Sequence, residues 1–260
     1  VAVRCARAGA AVALATAVGT DRFSAALLDR LAQEGVSRRL VHQEDGHPLG
    51  CYLVEVDPSG ERRFTYWRAA SPARRLVNLL GRDSLASAAG AADLAVVSGI
   101  TLAILDDPQR RALVEILADA SARGTRVVLD PNVRPRLWAK AAEARRWIGA
   151  AVGIASVVLT STEDLNLLGV DAPEWSCRVP EMVVTDGPRA STWWQGGSSG
   201  TVAVDPVTPV DTTGAGDAFD TAYLLARARG APVPDAVAAG HHAAREAIAH
   251  PGGLPPPRRR

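Results

Sequence analysis

The stretch Asp211-Thr212-Thr213-Gly214-Ala215-Gly216-Asp217-Ala218-Phe219 decides how this chain folds and what it can do. Glycines at 214 and 216 let a backbone turn approach a ligand closely, and they open directly into an apolar segment expected to be helical over 215–229. Free N–H groups at a helix N-terminus, with the helix dipole behind them, make a ready anion site. Asp217 sets a carboxylate beside that site. There it repels an anion unless it has a task, such as accepting a proton from an attacking hydroxyl. From these residues alone a second reading stays open, in which Asp217 is an ordinary first-turn aspartate and the glycines only make a bend.

Upstream of this turn the chain alternates. Continuous apolar runs predict strands over 94–97, 126–129 and 155–159, and amphipathic segments predict helices over 108–123, 139–151 and 162–168. That rhythm indicates a parallel sheet covered by helices. Short strands follow over 181–185, 191–194 and 202–204, and helices over 215–229 and 234–249 finish the pattern. Trp193 and Trp194 point to opposite faces of their strand, so at most one is expected in the core. Nearer the start, 1–8 reads as the end of a helix stopped by Gly9, and 11–18 as a β-prone run. A helix is expected over 21–33, with Leu27, Leu28 and Leu31 on one face. Strand-like segments over 50–56 and 62–68 flank Asp57-Pro58-Ser59-Gly60, which is the turn chemistry of a hairpin. Residues 1–250 are expected to form one domain and 251–260 a disordered tail, its last six residues being proline and arginine only.

Composition narrows the function classes. The 260 residues carry Lys+Arg 29 against Asp+Glu 28, a net charge of +1, which argues against a nucleic-acid or polybasic membrane surface. No run approaches the ~20 apolar residues of a membrane-spanning helix. Cys5, Cys51 and Cys177 are too scattered for a zinc cluster or a CxxC motif, and three is an odd number for a disulfide framework, which favours a reducing, cytoplasmic setting. The apolar run 8–19 after Arg4 and Arg7 superficially resembles a signal peptide, but the later chain reads as a nucleotide enzyme. Met182 is the sole methionine, so Val1 is not a translational start and an upstream segment is expected. Lys140 is the sole lysine. His42, His47 and His250 show no metal spacing, and His241 and His242 diverge by about 100° on a helix.

The nine residues 211–219 resemble the C-terminal signature of the ribokinase-like (PfkB) carbohydrate kinases. Ala17-Val18-Gly19-Thr20-Asp21 with Leu27-Leu28 and Gly35-Val36 resembles that family's early stretch, and the last helix, with His241 and Ala243-Ala244, resembles its adenine-side helix. The resemblance implies a ribokinase-like α/β fold: a mainly parallel sheet sandwiched by helices, with a small β lid at about 49–68 that is partly missing. It implies ATP and Mg2+ as cofactors, Gly214, Ala215 and Gly216 as an anion hole, and Asp217 as the catalytic base. On the nucleotide side it implies Asn132, Thr185, Gly187, Gly214, Gly216 and His241, with Glu163 reaching magnesium through water; otherwise Glu163 is a helix N-terminal acid. Three positions depart from the pattern. Thr185 stands where lysine is common, Ala190 where a second glycine is frequent, and Thr160 where the Asn-x-x-Glu motif has asparagine.

Within the family, Gly50-Cys51-Tyr52-Leu53, Phe64-Thr65-Tyr66-Trp67-Arg68, Ser98-Gly99-Ile100-Thr101-Leu102 and Asp130-Pro131-Asn132-Val133-Arg134-Pro135-Arg136-Leu137-Trp138 resemble the 2-keto-3-deoxygluconate kinases. This implies Tyr52, Tyr66, Arg68, Ile100 and Arg134 as contacts to the sugar acid. Arginine pairs a carboxylate through a bidentate fork, and tyrosine offers a polyhydroxylated ligand an apolar face and a hydroxyl. For Tyr66 and Arg68 the plain reading is an exposed edge hairpin, their spacing merely putting them on one face. The implied reaction is phosphoryl transfer from ATP to the sugar acid's primary hydroxyl. The alternatives are another sugar kinase of the fructokinase or ribokinase kind, or a truncated, non-catalytic remnant that binds sugar or nucleotide. The resemblance places the start of the chain on the order of 30 residues into the pattern, past a strand-and-loop unit. No nucleic-acid or membrane partner is expected, and the lid's aromatic character permits a homodimer through it.

Overall fold

A computed structural model describes residues 1–56 and 62–254. The turn expected over 57–60 and the tail over 255–260 lie outside the described residues. In chain order the elements are α1 (Ala2–Arg7), β1 (Thr16–Val18), α2 (Arg22–Gln33), β2 (Val41–Gln43), β3 (Cys51–Val56), β4 (Arg62–Trp67), α3 (Leu76–Leu80), α4 (Arg82–Gly90), β5 (Leu94–Ser98), α5 (Gly99–Ile104) and α6 (Asp107–Ala122). There follow β6 (Arg126–Asp130), α7 (Ala141–Val152), β7 (Val157–Ser161), α8 (Thr162–Leu168), α9 (Ala172–Ser176), β8 (Glu181–Thr185), β9 (Ser191–Gln195), β10 (Ser198–Val202), α10 (Ala215–Ala228) and α11 (Val233–Ile248).

The main sheet runs β10-β9-β8-β7-β6-β5. Strands β5 to β8 are mutually parallel, while β9 and β10 join antiparallel. Parallel strands need crossover helices and so end up covered on both faces, which is why their sequences are continuously apolar. Alternate residues sort to the two faces. Val127, Leu129, Val158 and Met182 pack with Leu113, Leu117, Trp147 and Ile148 from α6 and α7. Val128, Val157, Leu159 and Val183 pack with Phe219, Tyr223, Val233 and Val237 from the α10–α11 side. The β1–β2 pair and the β3–β4 hairpin form separate two-stranded sheets, parallel and antiparallel respectively.

Several expectations shift. Both tryptophans of β9 reach the core, Trp193 on one face and Trp194 on the other, because β9 is an internal strand with cover on each side. The last short strand lies at Ser198–Val202 rather than 202–204. Gly196 and Gly197 both take positive φ, +56° and +82°, and so make the tight turn that returns β9 into β10. The β-prone run 11–18 yields only three strand residues beyond an isolated bridge from Ala13 to Ser37. Residues 251–254, expected to open a disordered tail, fold back instead on the turn at 211–214: the Gly252 amide donates to Asp211 Oδ2 at 2.8 Å.

One polar network fixes α10 against the sheet. Glu181 begins β8 and is 4% exposed. The Tyr223 hydroxyl donates to its Oε1 at 2.7 Å, Arg227 donates to both oxygens at 2.6–3.2 Å, and Gln195 Nε2 donates to Oε2 at 2.8 Å. A carboxylate this buried is tolerated only because its lone pairs are filled and its charge is matched. Burial and the adjacent carboxylate push the Tyr223 phenol far above its ordinary range, so it stays a donor. Glu181→Ala strips Arg227 of its counter-charge and Tyr223 of its acceptor, with an expected loss of about 3–5 kcal/mol in equilibrium urea unfolding. The network lies at the strands' N-terminal end, away from 214–217, so turnover per folded molecule should be retained.

Candidate active site

The C-terminal ends of the parallel strands converge on the start of α10. In open α/β sheets this edge gathers ligands, because the strand-to-helix loops can diverge there without disturbing the core. Ser98 ends β5 and caps α5, its Oγ accepting from the Ile100 amide at 3.2 Å. Asp130 ends β6 and is followed by Asn132 and Arg134; Ser161 ends β7 ahead of Glu163; Thr185 ends β8 ahead of Gly187. At Gly99 a Cβ would sit 1.9 Å from the Pro131 carbonyl oxygen, so only glycine lets the start of α5, which carries Ile100, press against the loop carrying Asn132.

Gly214 takes φ +77° and is the N-cap of α10. A Cβ there would meet the Gly253 carbonyl oxygen at 2.7 Å, so the backbones of 214 and 253 touch directly. Asp211 fastens this arrangement, accepting from Thr213 N and Gly252 N at 2.8 Å each. The Ala215 amide turns back to Thr212 O, while Gly216 and Asp217 lie in the first turn, where amides lack intrahelical acceptors. The turn therefore fits an anion such as a phosphate. The Asp217 side chain is 53% exposed beside it, with the Val1 backbone nitrogen 3.5 Å from its Oδ1.

Three further carboxylates surround this point. Asp164, buried in the first turn of α8, accepts from the Val133 amide at 2.7 Å and from Ser161 Oγ at 3.0 Å, and so pins the loop after β6. Asp130 is half-buried, and desolvation together with the charges of Asp164 and Asp217 pushes it up to about 7. Its Oδ2 accepts from Asn132 Nδ2 at 3.3 Å, and Asn132 holds φ +38°, unique among the described non-glycine residues in being positive. Asp220, one turn beyond Asp217 on α10, is raised well above the ordinary range by burial and by Asp130 and Asp217. Sequence reading passed over Asp130, Asp164 and Asp220 as site residues. The available signals were the i, i+3 spacing of Asp217 and Asp220 on one helix face and the position of Asp130 at a strand's carboxyl end.

The expected sugar contacts fall into two groups. Tyr52 and Tyr66 are cross-strand partners in the β3–β4 hairpin, with ring centroids 5.9 Å apart, and the Arg68 guanidinium lies 4.1 Å over the Tyr66 ring. Both tyrosines are exposed, as the plain hairpin reading also requires. Ile100 and Arg134 sit instead past the strand ends, Ile100 in the first turn of α5 and Arg134 on the loop after β6, exposed and partly offsetting the charge on Asp130 and Asp164. On the nucleotide side, Thr185 Oγ1 is committed to the Thr160 carbonyl at 3.2 Å, and Gly187 takes φ +57°. His241, on α11, stands edge-on to Phe219 at 5.3 Å with its Nε2 buried and unpartnered; burial lowers its pKa and keeps the ring neutral. Glu163 is exposed, and no group of three metal-binding side chains is gathered among the described residues. Mg2+ keeps several waters and takes one or two carboxylates alongside substrate phosphates, so a single Glu163 fits it.

The elevated Asp130 carries a pH signature. Between about 4 and 7 an unfolded chain gives up this proton while the folded chain holds it, so the site's contribution to stability falls as pH rises through that window. Asp130→Asn removes the titration. Its urea midpoint should therefore gain on the parent's from pH 4 to 7; a constant difference would refute the assignment.

Comparisons with known proteins show the family and the fold. The description "pfkB family carbohydrate kinase" matches residues 1–258. The 2-dehydro-3-deoxygluconokinase of Dickeya dadantii is 31% identical over 252 residues, covering 93% of this chain and 81% of the relative. The crystal structure of a PfkB protein from Polaromonas sp. JS666 superposes with a TM-score of 0.82 at 28% identity, over 95% of this chain and 83% of that one. A putative ribokinase II from E. coli, solved in complex with ATP and Mg2+, shares the fold with a TM-score of 0.83 at 22% identity, over 96% and 81% of the two chains. With a ribokinase-like α/β fold and the family's match over nearly its whole length, this chain belongs to the pfkB family of carbohydrate kinases.

Proposed function

We propose that residues 1–250 work as one kinase domain. It transfers the γ-phosphoryl group of ATP to the primary hydroxyl of 2-keto-3-deoxygluconate, giving 2-keto-3-deoxy-6-phosphogluconate and ADP. The observation that carries the reading is the left-handed turn at Gly214, which sets first-turn amides and the exposed Asp217 carboxylate around one point. A hydroxyl oxygen attacking the γ-phosphorus needs its proton removed as the P–O bond to ADP breaks, and Asp217 takes that proton. The amides of 214–216 hold the moving phosphoryl group. Bound magnesium neutralises phosphate charge, and Glu163 is the residue that would hold it through water. The adenine ring finds an apolar wall in the neutral His241 ring and its neighbour Phe219, while Asn132, Thr185 and Gly187 border the nucleotide.

The sugar acid explains the arginines. Arg68 and Arg134 offer guanidinium forks to a carboxylate, which a neutral sugar lacks. Tyr52 and Tyr66 give the hairpin an amphipathic face, and Ile100 packs from the first turn of α5. With that face over the acceptor, the hairpin acts as a lid excluding water. Its exposed Leu53, Tyr52 and Trp67 also suit a homodimer through the lid, and the setting is cytoplasmic.

Three measurements test this reading. Asp217→Asn should lower kcat by about 10²–10⁴-fold with the acceptor KM nearly unchanged, and unchanged turnover would remove Asp217 as the base. Arg68→Ala and Arg134→Ala should each raise the acceptor KM by about 10-fold or more, since a hydrogen bond to a charged group contributes about 1.5–3 kcal/mol. In a coupled assay, 2-keto-3-deoxygluconate should exceed fructose and ribose in kcat/KM; a preference for either neutral sugar would sink the substrate and leave the kinase standing.

A further inference from the structure

Arg4 is a cation that none of these roles uses. It lies in α1, and α1 packs on α10. Val1 and Arg4 are three residues apart and so share a helix face, and the Val1 nitrogen stands 3.5 Å from Asp217 Oδ1. Arg4 therefore projects toward the first turn of α10. Its Nη2 donates to the Gly253 carbonyl at 3.1 Å, and Gly253 is the residue whose backbone touches Gly214. This is the sole side-chain hydrogen bond of Arg4 among the described residues, although a guanidinium carries five donors. Its Nε is shielded from solvent with no partner.

The charges facing Arg4 come from three elements: Asp217 on α10, Glu246 on α11 and Arg7 on α1. Two attract it and one repels it. Desolvation is nonetheless the largest influence and pulls its pKa below the usual guanidinium value, so the charge is held there at a cost that a single carbonyl contact does not offset. A phosphoryl group in transfer spreads negative charge over three oxygens, and a cationic side chain beside the amide dipoles stabilises that charge further than magnesium on the phosphates does. Lys140, the one lysine, precedes α7 and is exposed.

We infer that Arg4 is a catalytic residue: its guanidinium meets the phosphoryl group held between the 214–216 amides and Asp217, and neutralises charge on it during transfer. This rests on the kinase reading of Asp217. The attacking oxygen's proton still goes to Asp217 and ADP still leaves, so Arg4 exchanges no proton.

The test uses Arg4→Ala, Arg4→Gln and Arg4→Lys in the whole chain, beside Asp217→Asn, with kcat, KM for both substrates and thermal melts. Glutamine keeps a donor for the Gly253 carbonyl and removes the charge. Arg4→Ala and Arg4→Gln should both lose about 100-fold or more in kcat, with KM values moving little, because a donor aimed at transition-state charge is worth about 10²–10³. Arg4→Lys should recover part of the loss, and added methylguanidinium should restore part of the Arg4→Ala rate. An Arg4→Gln enzyme that turns over within threefold of the parent overturns the inference and leaves Arg4 a tether for Gly253. If Arg4→Ala does not fold, Arg4→Gln decides alone. The two readings fail separately: Asp217→Asn with parental turnover removes the base, whereas Asp217→Asn inactive beside a fully active Arg4→Gln removes only the arginine.

Discussion

The buried carboxylate of Glu181 is the constraint on which the rest of the arrangement depends. It takes the Tyr223 hydroxyl and the Arg227 guanidinium from α10, and through Gln195 it also reaches the neighbouring antiparallel strand. A charge removed from water at that depth leaves α10 little freedom to slide or rotate on the sheet, since any shift strands an ion. The helix is fixed at its C-terminal half, and its first turn is thereby delivered to the carboxyl edge of the parallel strands. Stability and chemistry thus occupy opposite ends of one helix.

At the chemical end the balance of forces is reversed. Asp130, Asp164, Asp217 and Asp220 crowd one edge, and desolvation and mutual repulsion raise Asp130 and Asp220 well above the ordinary carboxylate range. Such a concentration of acids is unfavourable for folding alone. It becomes intelligible beside cationic side chains and amide dipoles that a phosphorylated nucleotide would share. Asn132, with its positive φ and its hydrogen bond to Asp130, stores backbone strain at the same edge.

Much of this was legible in the residues. The alternating apolar runs gave the parallel strands β5 to β8 nearly to the residue, because burial on both faces imposes a continuous pattern, and α8 fell where it was expected. The glycines of 211–219 announced the left-handed turn that opens α10. Less legible were α3 and α4, too short and too interrupted by Pro72 and Gly81 to show a helical period. The acidic cluster was hidden for a different reason. Asp130 and Asp220 are 90 residues apart in sequence, and nothing local to either reports that a crossover and a helix bring them together. The fold-back of 251–254 onto Asp211 was hidden likewise, since Gly-rich sequence looks the same whether it is docked or free.

Gly99 shows how the two strand-end segments keep their relation. No attraction is needed between the segment carrying Ile100 and the segment carrying Asn132 and Arg134. Their backbones are already in van der Waals contact at the Pro131 carbonyl, with no room for one more carbon atom. The spacing of the two segments is therefore set by excluded volume, which temperature, salt and pH leave almost unchanged. A site lined with titrating carboxylates in this way acquires a ruler that does not titrate.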